Sequence, residues 1–428
     1  MSRFQIIFIT VLVIFAVAGI ATFALSKNQG GSDAPQLVMW GTFDSSLMSG
    51  FLSEVASAYR KEVNVSYVEK STASMESDLV EALARGQGPD LILLPQDLIS
   101  KQLDKFYPIP FSSYSERDFK DVFIEEGELY LNSAGIIGFP FSVDPMVMYW
   151  NRDMFSNAGF ATPPKKWTEF ASLVSKMTKK DTTGNISQSL VSFGETRNVD
   201  HAKDIIALLS MQAGTPIVSR DTQGNLTSVF SMQGSTLAPA EEAVRFFTEF
   251  ANPVKSLYSW NKSLPTARAS FVSGRLALYF GYASELPAIR ASNPNLNFDI
   301  AEVPQTGARA TTFGRMHAIA LLKSSPYISA AYIASNVLTS APVISQWVVK
   351  SGLPPVRRDL LSRAQSDAYK AVFYRGSLIA KAWLDPNKEL SDVIFTRLVE
   401  NITSGRLLVS EAVRTANTEL DSLIRLNR

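Results

Sequence analysis

The sequence contains no cysteine among its 428 residues. This absence excludes disulfide bonds, a catalytic thiol, cysteine metal sites and a lipid-modified cysteine as a membrane tether. Histidine is almost as scarce, because His201 and His317 are the only two. Neither has the spacing of a histidine metal motif, so the sequence predicts no metal site.

An excess of charge of one sign is also missing. Lysine and arginine total 41, aspartate and glutamate total 40, and the formal net charge is +1. A nucleic-acid partner is therefore not expected, because neutralising phosphates requires a basic excess. We find no G-x-S-x-G, H-E-x-x-H, P-loop or G-x-G-x-x-G motif, and we predict no catalytic residue and no cofactor.

The first residues carry a targeting signal. Arg3 precedes an uncharged run of twenty residues, Ile6–Leu25, which is long enough to cross a bilayer as a helix. We interpret residues 1–26 as a signal peptide or a membrane anchor, and favour the anchor. Residues 27–35 are polar and rich in glycine, and we interpret them as a linker. The remainder is then expected outside the cytoplasm, attached to the membrane through this N-terminal helix.

The rest of the chain alternates between strand and helix patterns. Short apolar strands are predicted at 37–40, 63–68 and 91–94, separated by helices whose apolar residues recur every three or four positions. Strand, helix, strand, helix, strand with short connections predicts a parallel sheet covered by helices. With 46% hydrophobic and 19% charged residues, the composition is that of a globular protein. The length favours two lobes over one core.

Six short motifs follow one another in an order that resembles a known family. They are Trp40-Gly41, Gly88-Pro89-Asp90-Leu91, Ile137-Gly138-Phe139-Pro140 leading to Met148-Tyr149-Trp150-Asn151, Pro163-Pro164-Lys165-Lys166-Trp167, Phe271-Val272-Ser273-Gly274-Arg275 with Gly281, and Gly352-Leu353-Pro354-Pro355. Together they resemble the bacterial extracellular solute-binding proteins of ABC transporters, of the maltose- and sugar-binding type. The resemblance extends over nearly the whole chain after the linker.

The resemblance implies an α/β fold, the two-lobed periplasmic-binding-protein fold (type II-like), with a hinge between the lobes and a hydrophobic helix before them. We place lobe one at 36–145 plus 286–320 and lobe two at 146–285 plus 321–428. Ligands in this family lie in the cleft at the hinge, near the carboxyl ends of strands. The resemblance does not identify the ligand, although a sugar is the most common one.

A sugar site needs carboxylates, amides or guanidinium groups for the hydroxyls, and aromatic rings for the C–H faces. Trp40 ends the first predicted strand and is the first candidate, with core packing as its alternative. Asp97 follows the third strand, where it could also cap the next helix. Phe141 and Asp144 lie on the first crossing between lobes, although Asp144-Pro145 is also a common turn pair.

The other candidates come from the later part of the chain. Trp260 lies in a polar loop, where we expect it to be exposed. Tyr282 follows Gly281 at the end of a strand, where glycine lets a ligand approach the backbone. Arg315 lies near the expected return crossing, where it could bind ligand or brace the hinge. Trp383 is a late aromatic residue whose alternative role is helix packing.

The sequence therefore predicts a non-enzymatic receptor that closes around a small polar ligand and delivers it to an ABC transporter permease. Two alternatives stay open. One is an anchored sensory or scaffold protein that uses the same fold without transport. The other is a glycoside hydrolase, which needs two carboxylates on either side of the scissile bond.

Overall fold

The computed structural model describes residues 34–221, 225–232, 238–307, 309–363 and 365–426. The predicted signal peptide or anchor at 1–26, and the linker up to residue 33, lie outside the described residues. Among the described residues, no single helix is long and apolar enough to span a membrane. One pair of helices, Ile328–Leu338 and Ala341–Ser351, is together long and apolar enough to span a membrane, but the two helices are bent by 66° relative to each other.

The three first strands form as the sequence predicts. The strands β1 (Leu37–Gly41), β2 (Val65–Glu69) and β3 (Leu91–Pro95) pair in parallel, with β1 in the middle. The helices α1 (Ser45–Ala58) and α2 (Met75–Ala84) connect them. The residues of β3 from 91 to 94 are fully buried, as expected for a strand covered on both faces.

The other elements follow in chain order. The remaining strands are β4 (Leu131–Asn132), β5 (Gly135–Ile136), β6 (Gly138–Asn151), β7 (Lys179–Lys180), β8 (Ile186–Val191), β9 (Val218–Arg220), β10 (Leu226–Ser228), β11 (Leu276–Tyr282), β12 (Phe298–Ala301), β13 (Thr312–Leu321) and β14 (Ala380–Lys381). The remaining helices are α3 (Ile99–Gln102), α4 (Glu116–Val122), α5 (Arg152–Asn157), α6 (Phe170–Met177), α7 (Ala202–Gln212), α8 (Pro239–Glu249), α9 (Ala267–Val272), α10 (Leu286–Ser292), α11 (Ile328–Leu338), α12 (Ala341–Ser351), α13 (Arg358–Leu361), α14 (Ala368–Leu378), α15 (Lys388–Thr403) and α16 (Val409–Leu426).

One sheet of ten strands runs through the molecule in the order β2-β1-β3-β13-β6-β11-β8-β7, with β12 also paired to β6 and β14 to β13. The long strand β6 changes partners along its length. Up to Pro145 it pairs with β13, and from Met146 onward it pairs with β11. We call β2, β1, β3, β13 and the beginning of β6 the first half of the sheet, and the rest of β6 with β11, β12, β8 and β7 the second half. The strand β6 therefore connects the two halves directly.

The chain returns from β12 in the second half to β13 in the first half, where β13 pairs with β3 and with the first part of β6. Its register against β6 shifts between His317 and Ala318, directly opposite Pro140. Proline lacks the N–H that a regular ladder requires, so its place beside an irregularity is expected. Two antiparallel strands, β6 and β13, thus run side by side where the halves meet.

Two segments lie against a different half from the one that the sequence analysis assigned them. Strand β12, placed in 286–320 of lobe one, pairs with the end of β6 in the second half. Helices α11 and α12, placed in 321–428 of lobe two, pack on the first half, where Trp347 lies 5.3 Å from Phe51 between ring centroids. The division into lobes stays a prediction, because an amphipathic helix pattern does not reveal which layer the helix will cover.

Candidate binding cleft

A cleft of about 460 Å³ opens between the two halves of the sheet. One wall follows the carboxyl ends of β1, β2 and β3 and includes Thr42, Thr72 and Asp97. The floor is formed by β13 between Phe313 and His317. The opposite wall comes from the start of α7 and from the segment 383–392, which contains Trp383. The cleft therefore combines the aromatic side chains of Phe313 and Trp383 with several polar groups from both halves.

Gln96 holds the floor of the cleft in place. Its side-chain amide donates to the carbonyl oxygen of Gly314 at 2.9 Å, and its amide oxygen accepts from the backbone N–H of Met316 at 2.9 Å. A buried amide with both ends bonded fixes the relative position of the segments that it joins. The turn after β3 is thus attached to β13 directly below the cleft.

Asp97 reaches across the cleft to the second half. Its carboxylate Oδ2 lies 3.2 Å from Nζ of Lys388, the first residue of α15. Both side chains are partly exposed, at 27% for Asp97 and 38% for Lys388. The capping role considered for Asp97 is wrong, because Asp97 lies inside the short 3-10 helix Gln96–Leu98 and α3 begins after Leu98 without a side-chain cap. The carboxylate is free to face the cleft, with one cation as its partner.

Lys203 is the centre of a charged network in the opposite wall. Its Nζ lies 2.9 Å from Asp385 Oδ2, 2.5 Å from Asp392 Oδ1 and 2.9 Å from the hydroxyl of Ser391. Burial raises the pKa of Asp385 and Lys203 opposes it, whereas the two carboxylates raise the pKa of Lys203 to about 12 despite its burial. Asp385 has the contacts of a carboxylate, with Lys203 at 2.9 Å, the Ser391 hydroxyl at 2.6 Å and the N–H of Asn387 at 3.0 Å, so the pair is ionic.

Arg315 lies where the floor meets the second wall. Its Nη2 donates to Asp204 Oδ2 at 2.7 Å, and its Cζ lies 3.9 Å from the ring centroid of Tyr282. The Tyr282 hydroxyl donates to the same carboxylate oxygen at 2.6 Å. Burial would raise the pKa of Asp204, but Arg315 and the other donors hold it below its usual value. The guanidinium is therefore held by a carboxylate on one side and a ring face on the other.

His201 joins Arg315 to Glu285 through its two ring nitrogens. It is the non-glycine residue with positive φ, at 60°, among the residues that the structure describes, and it precedes α7. Its Nε2 lies 2.8 Å from Glu285 Oε1 and its Nδ1 lies 3.3 Å from Arg315 Nη2. Since an arginine can only donate, Nδ1 accepts and the proton is on Nε2. The unfavourable backbone conformation is retained where the imidazole orients Arg315.

Two further titratable groups near the floor are buried. His317 faces the cleft, its ring centroid lies 4.8 Å from that of Phe43, and burial lowers its pKa to about 4. Asp144 is paired with Arg315 across the β6–β13 ladder and accepts from the N–H of Ser284 at 3.0 Å. Burial raises the pKa of Asp144 to about 6. At neutral pH the imidazole of His317 in the floor is therefore uncharged, and the Asp144 carboxyl next to the floor is mostly ionised.

The structure brings some of the eight candidate residues together and separates others. Asp97, Arg315 and Trp383 line the cleft, and Tyr282 supports Arg315 from below. Asp144 is paired to the same strand but is not among the cleft-lining residues. Which of these side chains contact a ligand stays a prediction.

The remaining aromatic candidates are packed elsewhere. Trp260 is only 1% exposed and its indole N–H donates to Asn198 Oδ1 at 3.1 Å, so the prediction that it is exposed is wrong. Phe141 is 1% exposed and lies 5.0 Å from Trp347, in the core of the first half. Trp40 is covered by Lys70, whose Nζ lies 4.0 Å from its ring centroid. Burial of these large apolar rings favours a packing role for all three, as it does for Trp383, which is 5% exposed, and their contact with a ligand stays an untested prediction.

Sequence reasoning missed most of the charged residues in the cleft. They are Lys203, Asp204, Asp385, Lys388, Glu389 and Asp392. One signal for Asp385 was present, because Asp385-Pro386 is an Asp-Pro pair close after an aromatic residue, as Asp144-Pro145 is. The lysines carried no such signal, since a lysine on a helix usually indicates a solvated face.

Comparisons with known proteins agree with this architecture. The sequence pattern of the bacterial extracellular solute-binding proteins matches residues 54–373. A relative from Brucella abortus (strain 2308), named as a binding protein, is 21% identical over 436 residues, covering 96% of this chain and 97% of the relative. Two solved structures share the fold with TM-scores of 0.74 and 0.66.

The first of these structures is a cyclo/maltodextrin-binding protein complexed with maltotetraose, 15% identical, with 92% of this chain and 98% of that chain covered. The second is an ABC transporter solute-binding protein from Thermotoga lettingae TMO bound with α-D-tagatose, 20% identical, with 91% and 99% covered. At such identities the likeness establishes the fold. The mixed α/β fold of the periplasmic sugar-binding proteins, predicted from the sequence, is confirmed.

Proposed function

Because the chain belongs to the bacterial extracellular solute-binding proteins, we propose that it captures a carbohydrate in the cleft and delivers it to an ABC importer. The observation that carries the proposal is the combination, in one cleft, of Trp383 with polar groups from both halves. A sugar presents C–H faces to an aromatic ring and hydroxyls to carboxylates and hydroxyl groups. Since the family is extracellular, the chain acts outside the cytoplasm; attachment through residues 1–26 is part of the proposal.

The strands that connect the halves suggest how capture works. Because β6 runs through both halves and the chain returns to the first half at the start of β13, small changes at these two connections would open or close the cleft. A ligand that contacts Asp97 on one wall and Trp383 on the other gains contacts only when the walls are close. It therefore favours the closed form by its difference in affinity for the two forms. The importer would recognise that closed form.

The proposal is tested by thermal shift and calorimetry with a panel of mono- and oligosaccharides, polyols, amino acids and oligopeptides. A sugar at about 100 times its Kd should stabilise the folded protein by about 2.7 kcal/mol. A panel in which no carbohydrate stabilises the folded protein would contradict the proposal. Delivery is tested by uptake of the same sugar in cells that lack the chain, which should fall.

Asp97→Asn should weaken binding of that sugar about tenfold, since a hydrogen bond to a charged group contributes about 1.5–3 kcal/mol. Folding should change little, because the Asp97–Lys388 pair is partly exposed. Asp104→Asn is the matched control: this exposed carboxylate pairs with Lys105, lies seven residues further along the same segment, and does not line the cleft. Equal Kd values for Asp97→Asn and the unsubstituted protein would remove Asp97 from the site.

A further inference from the structure

More carboxylates than cations line the cleft. The carboxylates that line it are Asp97, Asp204, Asp385, Glu389 and Asp392, and the cations are Lys203, Arg315 and Lys388. Five carboxylates against three cations leave a formal charge of −2 in the cleft wall, whereas the whole chain has +1. The negative potential is therefore local to the cleft.

Each of the three cations already has a carboxylate partner. Lys388 pairs with Asp97 at 3.2 Å, Arg315 with Asp204 at 2.7 Å, and Lys203 with both Asp385 and Asp392. Among the described cleft residues, none of the cations is left to neutralise an incoming anion. An anionic group would therefore have to share a cation that a carboxylate already neutralises.

The carboxylates that line the cleft differ in their ion pairs and in their exposure. Glu389 forms no ion pair within the part of the chain that the structure describes, and it is exposed at the cleft. Asp392 lies three residues further along α15, and half of its side chain is exposed despite its contact with Lys203. One face of α15 thus presents negative charge toward whatever enters.

We propose that the cleft selects its solute by charge, so that it accepts neutral and amino sugars and rejects anionic sugars such as uronates and sugar phosphates. That the selected solutes are sugars rests on the proposed carbohydrate-binding function. The rejection of anions holds for any solute. The physical reason is repulsion: an anion loses its water and meets carboxylates that no free cation offsets. Such a repulsive element gives specificity without any additional attractive contact.

The electrostatic part can be measured without knowing the ligand, because the chain has no cysteine. Thr72 is exposed and lines the cleft, so Thr72→Cys introduces a single thiol there. This thiol should react faster with a cationic methanethiosulfonate than with an anionic one, by about tenfold after division by the same ratio for free cysteine. Ser57→Cys, exposed on α1 outside the cleft, is the matched control and should give a ratio near that of free cysteine.

Two changes should reduce the ratio at Thr72→Cys toward the control. Adding Glu389→Gln removes the unpaired carboxylate, and raising the salt concentration screens those that remain. Equal reactivity with the two reagents, or a preference for the anionic one, would overturn the proposal.

The second arm uses four sugars with one skeleton: glucose, glucosamine, glucuronate and glucose 6-phosphate, or the same series built on the sugar that binds best. The anionic members should bind at least about tenfold more weakly than the neutral one. If glucuronate binds as well as glucose, charge selection fails while the carbohydrate function stands. If no sugar binds but the thiol ratio is as expected, charge selection stands and the carbohydrate function fails.

Discussion

Replacing Glu126 with glutamine should stabilise the protein at about pH 8 by several kcal/mol and leave it almost unchanged at about pH 4.5. Glu126 lies in the 3-10 helix Glu125–Tyr130 and is only 2% exposed. Neither of its carboxylate oxygens has a hydrogen-bond partner among the described residues. It faces β13 so closely that a Cβ at Gly314 would lie 2.0 Å from its Oε2. An unsolvated carboxyl group therefore packs against β13, close to where the two halves of the sheet meet.

The direction of this pH dependence follows from the pKa of Glu126. Burial, with a smaller contribution from the charge of Asp144, raises the pKa of Glu126 from 4.5 to about 8. Below about pH 4.5 the carboxyl is protonated in both the folded and the unfolded protein, and its ionisation costs nothing. Above that pH the unfolded chain releases the proton while the folded chain retains it, so stability falls by about 1.4 kcal/mol per pH unit until about pH 8. The total loss is on the order of 5 kcal/mol as an upper value.

Glutamine removes this loss because it has nearly the same shape and never ionises. The free energy of unfolding, measured by urea titration at several pH values from about 4.5 to 8.5, should fall less steeply with pH in Glu126→Gln than in the unsubstituted protein. The matched control is the adjacent Glu125→Gln. Glu125 pairs with Lys381 at 3.0 Å and with Arg309 at 2.6 Å, and these cations lower its pKa although burial opposes them.

Glu125→Gln should therefore lower stability at neutral pH, by less than about 1 kcal/mol because the pairs are near the surface. Parallel pH profiles for Glu126→Gln and the unsubstituted protein would show that water or a cation reaches the Glu126 carboxylate.

The fold could be predicted from the sequence where the relevant signals are local. The apolar residues of β1, β2 and β3 are contiguous, and the helices between them show their spacing directly, so the parallel arrangement of these strands follows from short stretches of chain. The allocation of α11 and α12 could not be obtained in this way. Their apolar faces would suit either half, and the packing of Tyr332 on Phe139 and of Trp347 on Phe51 decides between them.

The residues of the cleft could be predicted from the sequence to a smaller extent than the fold. Asp97 could be found because polar residues after the carboxyl end of a buried strand often face a cleft. Lys203 could not, because its partner Asp385 is 182 residues away in sequence and no local pattern joins them. Trp260 failed for the opposite reason: its neighbours in sequence are polar, but the chain buries its ring and supplies Asn198 as the acceptor for its N–H. Local polarity does not report such long-range contacts.

Replacing Lys203 with methionine should destabilise the protein by about 3–5 kcal/mol, because it leaves a buried carboxylate without its cation. Asp385 is 5% exposed, and besides Lys203 it has the hydroxyl of Ser391 at 2.6 Å and the N–H of Asn387 at 3.0 Å. Two hydrogen bonds do not replace a neutralising charge in a site from which water is excluded. Asp392 is half exposed and can be solvated, so most of the cost arises at Asp385.

Lys388→Met is the matched control, since it removes a lysine from the same cleft whose partner Asp97 is partly exposed. This variant should lose no more than about 1 kcal/mol, because water can solvate the remaining carboxylate. Adding Asp385→Asn to Lys203→Met should recover much of the lost stability, since the neutral amide no longer requires a cation. The free energies of unfolding of the two single variants and the double variant, obtained by urea titration, form a cycle that isolates the coupling. A cost at Lys203 equal to that at Lys388, with no recovery in the double variant, would mean that water reaches Asp385 and that the wall of the cleft is far more open than its buried contacts indicate.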